Sequence, residues 1–258
     1  MVVGMELFSS HFKEHTNQYV LIGGGACDRH FESVGLPFRA TKDLDIILIV
    51  EALTTEFVNR FWEFIKSGKY SIAEKGNKKQ FYRFEKPQTD GFSRMIELFS
   101  RKPDAIVIPE DFHLTDIPTG EEASSLSAIL LDDVYYTFVL ANTTISDGLH
   151  HANDFALIAL KAKAFLNNLA RRNEGQKVQD DDIDKHRRDV IRLTVALDPQ
   201  KTINVPEPVK EDLKMYIQTV REENPDIKQL LKNLGAGNST LESIFEQLTD
   251  SFQLGQTE

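Results

Sequence analysis

Only one cysteine, Cys27, occurs in the 258 residues, so no internal disulfide can form, and the chain suits a reducing compartment. Nowhere is there an apolar run long enough to span a bilayer. The first residues, MVVGMELFSSHFKEH, lack the charged-then-apolar layout of a signal peptide, so a cytoplasmic protein without membrane contact is the expectation. Positive charge is short as well: 30 Lys and Arg stand against 40 Asp and Glu, a net charge of −10. That balance argues against broad, non-specific nucleic-acid binding and leaves room for a local basic groove. The main basic concentration is Arg171, Arg172, Lys177, Lys185, Arg187, Arg188 and Arg192, all in the second half. There is no fixed-period repeat and no low-complexity tract. With 41% hydrophobic and 27% charged residues, the length allows one large globular domain or two small ones.

What is present is concentrated between Tyr19 and Val50. An apolar run, Tyr19 to Ile22, breaks at Gly23, Gly24 and Gly25, passes through a helix-compatible segment, and ends in Asp43-Leu44-Asp45 ahead of the apolar run Ile46 to Val50. This order reads as strand, glycine turn, helix, acidic strand. Glycines after a strand let the backbone approach a phosphate, and the N–H groups of the following helix can donate to its oxygens. Residues two apart in a strand share a face, so Asp43 and Asp45 project together while Leu44 enters the core. Two neighbouring carboxylates repel each other unless a cation lies between them, and Mg²⁺ prefers oxygen ligands. Cys27, just after the glycines, reads as a small packing residue rather than a nucleophile.

Gly23-Gly24 followed by Arg39-Ala40-Thr41-Lys42-Asp43-Leu44-Asp45 resembles the signature of the DNA polymerase β-like nucleotidyltransferases. Within that superfamily the chain looks most like the AbiEii-type nucleotidyltransferase toxins of bacterial toxin–antitoxin and abortive-infection systems. The segment between the glycines and Asp43 is several residues longer than the family's usual spacing.

The remainder of the chain supplies a scaffold. Met5 to His15 reads as a short amphipathic helix, and Thr54 or Thr55 caps a helix running to about Lys66. Tyr70 to Ala73, Gln80 to Glu85 and Arg94 to Phe99 read as a meander, with turns at Gly76-Asn77 and at Pro87 to Gly91. Glu97 is an acid inside an otherwise apolar strand: either a third carboxylate, or an exposed residue on an edge strand. The short apolar runs at Ile106 to Ile108, Ala128 to Leu131 and Val134 to Leu140 are ambiguous; the last has β character, and Asp132-Asp133 reads as a turn.

From about His150 the strand signals fade. The expectation is an α+β chain: a nucleotidyltransferase-type mixed β-sheet domain over residues 1–149, followed by a helical C-terminal domain over 150–258. Asp154 is expected to cap a helix from Phe155 to about Arg172, and a second helix spans Asp181 to Leu197. Three shorter helices follow: Val209 to about Glu222, Asp226 to Leu234, and Thr240 to Phe252. His150-His151 is expected at an interdomain turn rather than at a zinc site.

The resemblance also covers Leu160-Lys161-Ala162-Lys163-Ala164 and Asp184-Lys185-His186-Arg187-Arg188-Asp189-Val190. It implies that Lys161 holds nucleotide phosphates and that Asp189 orients this lysine or the incoming hydroxyl, with Lys185 beside the nucleotide. Lys161 and Lys163 lie on opposite flanks of their helix, so one of them faces the site. Lys185 and Asp189 also fit a surface i, i+4 pair, and His186 reads as structural.

Together these imply a Mg²⁺-dependent enzyme that moves an NMP from an NTP to an acceptor hydroxyl. Asp43, Asp45, Glu97, Lys161 and Asp189 are its catalytic candidates, Gly23, Gly24, Arg39, Thr41 and Lys185 its nucleotide contacts, and Asp43 and Asp45 its metal ligands. The resemblance implies an RNA acceptor, tRNA among the candidates, and an antitoxin protein as partner. A small-molecule acceptor such as an aminoglycoside, and a catalytically silent nucleotide-binding module, are the competing readings.

Overall fold

The computed structural model describes residues 2–74, 81–99, 114–116, 129–130 and 132–255. It is a mixed α+β chain. The opening helix α1 (Met5–Phe12) passes through a 3-10 segment into strand β1 (Tyr19–Ile22). Helix α2 (Gly23–Ser33) begins at the next residue, and strand β2 (Asp43–Leu48) follows. The order expected from the glycines and the acidic pair is therefore present, with the glycines forming the first turn of α2 itself.

Helix α3 (Thr55–Gly68) is capped by Thr54, whose side chain accepts from the Phe57 N–H. Its buried aromatic side packs with α1: Phe8, Phe12, Tyr19, Phe57, Phe61 and Phe64 form a run of ring contacts against the sheet. Strands β3 (Ser71–Glu74), β4 (Phe81–Glu85) and β5 (Met95–Phe99) form the expected antiparallel meander. A short strand β6 (Leu114–Asp116) pairs with β3. The turn expected at Gly76-Asn77 and the run Ile106 to Ile108 lie outside the described residues, as do Gln80, Ala128 and Leu131.

Val134 to Leu140 departs from its β-rich composition and forms helix α4 (Asp133–Ala141). Asp132, expected in a turn, is the N-cap and accepts from the N–H groups of Val134 and Tyr135 at 2.8 and 3.2 Å. Tyr135, Phe138 and Val139 are buried at helical spacing, so the cap and tertiary burial outweigh β propensity. A hairpin follows: β7 (Thr143–Ser146), a turn at Asp147-Gly148, and β8 (Leu149–Ala152). Both turn residues have positive φ, 47° and 72°, as a tight two-residue hairpin requires.

β8 lies beside β1, with Leu21 opposite His151. The boundary expected near residue 150 therefore falls within a strand, and the sheet continues to Ala152. Its order among the described residues is β6-β3-β4-β5-β2-β1-β8-β7. Helix α5 (Asp154–Asn173) is capped by Asn153 rather than Asp154. Helix α6 (Asp180–Ala196) packs along α5; α7 (Glu207–Glu223), α8 (Lys228–Asn233) and α9 (Leu241–Ser251) complete the helical part. One main core cluster runs from Val2 to Leu254, joining sheet and helices. Among the described residues no helix is long and apolar enough to cross a membrane.

Candidate active site

β2 is an interior strand, flanked by β1 and β5. Leu44 is fully buried, and Asp43 and Asp45 project together from the other face, half-buried. Antiparallel pairing sets Asp45 opposite Ile22, next to the glycines. Gly23 has φ of 66°, and a Cβ there would overlap the Asp45 carboxylate; a Cβ on Gly24 would press on the Thr41 hydroxyl at 2.5 Å. Glycine is thus required at Gly23 twice over, by its left-handed backbone and by the close approach of an acid. Gly23, Gly24, Thr41 and Asp45 meet at the start of α2.

Parallel pairing of β2 with β5 sets Glu97 opposite Asp45. Glu97 is on an interior strand and 4% exposed, which removes the edge-strand alternative. Burial, then the neighbouring Asp45, push its carboxyl up to about 8 against the opposing pull of Arg83. Asp43 is raised too, by burial and then by Asp45, with Arg94, Lys185 and Arg83 opposing. Asp45 thus crowds both of the other acids.

Among the described residues no group of three or more His, Cys, Asp or Glu side chains is arranged as a metal-ligand cluster. The donor set nevertheless suits Mg²⁺, which commonly takes one or two carboxylates and completes its shell with water and substrate phosphate. Asp43 and Asp45 supply the hard oxygen donors.

A second cluster centres on Asp189 of α6, which is fully buried. Arg39 donates to both its oxygens, Nε to Oδ1 at 3.0 Å and Nη2 to Oδ2 at 2.8 Å. Lys161 Nζ of α5 lies 3.2 Å from Oδ2, and Arg192 donates to Oδ1 at 3.1 Å. Burial pushes the Asp189 carboxyl up, but Lys161, Arg39 and Arg192 overcome it and hold the group at about 2. Three cations about one carboxylate leave a positive excess suited to phosphate. Asp45 acts on the Arg39 guanidinium, and both clusters act on buried Cys27, so they flank the start of α2 together. Burial first, and the nearby acids, push the Cys27 thiol up to about 12, which suits a packing role.

Of the two lysines on α5, Lys161 faces Asp189, while Lys163 pairs with Asp212 at 2.8 Å. Lys185 pairs with Asp182 at 2.6 Å rather than with Asp189, and its charge reaches Asp43. No family model and no curated protein matches the chain.

Beside Asp43 opens a cavity of about 900 Å³, lined by Arg39, Lys42, Arg83, Lys86 and Arg94 against Asp43, Glu85 and Asp90. A second cavity, about 620 Å³, lies between α1, α2 and the β7–β8 turn, away from these acids. Two residues of the site, Arg83 and Arg192, escape a linear reading, and a third, His186, reads there as structural. Arg83 binds Glu97, Arg192 binds Asp189, and His186 is 6% exposed, one turn before Asp189. Its Nδ1 has no hydrogen-bond partner among the described residues, and burial, then Lys161 and Lys185, push the imidazole well below its ordinary value. Arg83 has a signal in sequence, a charge inside an aromatic strand mirroring Glu97; Arg192 sits three residues from Asp189.

Proposed function

We propose that the chain is a Mg²⁺-dependent nucleotidyltransferase that moves an NMP from an NTP to an acceptor hydroxyl. The observation that carries this reading is the contact of Gly23 with the Asp45 carboxylate, which joins a phosphate-accepting helix start to an acidic pair. Asp43 and Asp45 would hold the ion, and when bound it supplies Lewis-acid polarisation of the α-phosphate and neutralises charge on the departing pyrophosphate. The N–H groups at the start of α2 donate to phosphate oxygens. Lys161 and Arg39, oriented by Asp189, add positive charge along the triphosphate. The acceptor hydroxyl releases its proton to water as its oxygen bonds to the α-phosphorus and the bond to pyrophosphate breaks, and Glu97 completes the acidic set beside Asp45.

Five cations against three acids in the cavity beside Asp43 favour an anionic acceptor such as RNA over a cationic aminoglycoside. Resemblance to the AbiEii-type toxins supports the same acceptor and adds an antitoxin protein as partner. Incubation with Mg²⁺, α-labelled NTPs and total RNA tests the reading, with aminoglycosides in a parallel arm. Label enters RNA with the wild type and not with Asp43→Ala/Asp45→Ala; equal transfer by both removes the acids from the mechanism. NTP binding by calorimetry with no transfer to any acceptor would favour the silent module.

A further inference from the structure

Across the sheet, Asp45 of β2, Glu97 of β5 and Arg83 of β4 stand at one level, because Asp45 is registered with Glu97 and Glu97 with Arg83. Arg83 and Glu97 are both buried, 8% and 4% exposed. The guanidinium does not straddle the carboxylate: Nε and Nη2 both donate to one oxygen, Oε1, at 3.2 and 3.0 Å. Glu97 is therefore gripped from the β4 side through a single atom. The same carboxyl group also hydrogen-bonds the Asp45 side chain.

We infer that Arg83 is a positioning residue for the acidic site, fixing Glu97 so that one carboxylate oxygen is committed to β4 and the other to the Asp45 side. The inference rests on the nucleotidyltransferase reading of Asp43 and Asp45, and it assigns Arg83 a task beyond the charge it lends to the cavity beside Asp43. An arginine is needed because two N–H groups at fixed spacing must converge on one oxygen; lysine supplies a single, freely rotating ammonium. Among the described side chains of β4, Arg83 is the one that hydrogen-bonds Glu97. Residues that orient metal-binding carboxylates in this way typically change metal affinity 10–100-fold when replaced.

The test is Mn²⁺ binding, followed by water-proton relaxation on the full chain, for the wild type, Arg83→Lys, Arg83→Gln and Asp45→Asn. Melting temperature and circular dichroism are recorded on the same samples. Arg83→Gln should weaken Mn²⁺ binding about 10–100-fold. Arg83→Lys should keep the fold and recover only part of the affinity, a split that a role in stability alone does not produce. If Arg83→Gln fails to fold, Arg83→Lys carries the test. Folded Arg83 variants that bind Mn²⁺ within twofold of the wild type overturn the inference. Mn²⁺ binding that Asp45→Asn leaves unchanged overturns the nucleotidyltransferase reading, and this inference with it.

Discussion

Replacing Asp189 by Asn keeps the side chain's shape and removes the one negative charge that Arg39, Lys161 and Arg192 share. The carboxyl is held at about 2 against an ordinary 3.8, because the three cations overcome the cost of burial. At about 1.4 kcal/mol for each pKa unit, that gap corresponds to roughly 2–3 kcal/mol of stabilisation at neutral pH. No discount for solvent screening applies, since Asp189 is fully buried. Removing one partner of a buried pair commonly costs about 3–5 kcal/mol, so the figure from the pKa is a lower bound. In a chain of this size about 2–4 °C is lost per kcal/mol, so Asp189→Asn should melt about 5–10 °C below the wild type at pH 7. The sign of the pH dependence follows from a depressed folded-state pKa. The stabilisation is fully present above the ordinary value of 3.8 and is lost as pH falls through about 2. Melting curves of both proteins from pH 7 to pH 2 should show the gap constant down to about pH 4 and then closing. A gap of equal size at pH 7 and at the acid end would refute the electrostatic account of this cluster.

The two lysines of α5 should separate cleanly: Lys161→Met should reduce nucleotidyl transfer by about 100-fold or more, while Lys163→Met, which loses the pair with Asp212 and the contact over the Tyr135 ring, should stay within about twofold in the same label-transfer assay. Gly23→Ala should cost about 1–2 kcal/mol for the left-handed backbone alone, read by urea denaturation. It should also weaken metal-dependent NTP binding in calorimetry, because the methyl displaces the Asp45 carboxylate. Thr54→Ala, which removes the cap of α3, should cost about 1 kcal/mol in urea denaturation and leave NTP affinity unchanged.

The part of the fold legible in sequence is the part governed by local chemistry. Glycines after an apolar run and acids two apart specify β1, α2 and β2 because backbone freedom and strand periodicity act over a few residues. The cap at Thr54 works in the same local way. Val134 to Leu140 does not, since its aromatic and β-branched residues favour a strand until Asp132 caps the segment and the core takes Tyr135, Phe138 and Val139. The β7–β8 hairpin carries a local signal, the Asp147-Gly148 turn, and its pairing with β1 extends the sheet to Ala152. In the candidate site the acids and Lys161 could be named from spacing and resemblance. Their partners could not: Arg39 meets Asp189 across 150 positions of sequence, and Arg83 meets Glu97 only through strand register.

The account turns on where a divalent ion and an NTP come to rest together. Crystals grown with Mn²⁺ and a non-hydrolysable NTP would show this directly by anomalous scattering. The expected result is a manganese peak between the Asp43 and Asp45 carboxylates, with the α-phosphate facing the N-terminus of α2. Nucleotide bound with its metal elsewhere on the surface, and these two acids free of it, would contradict the account.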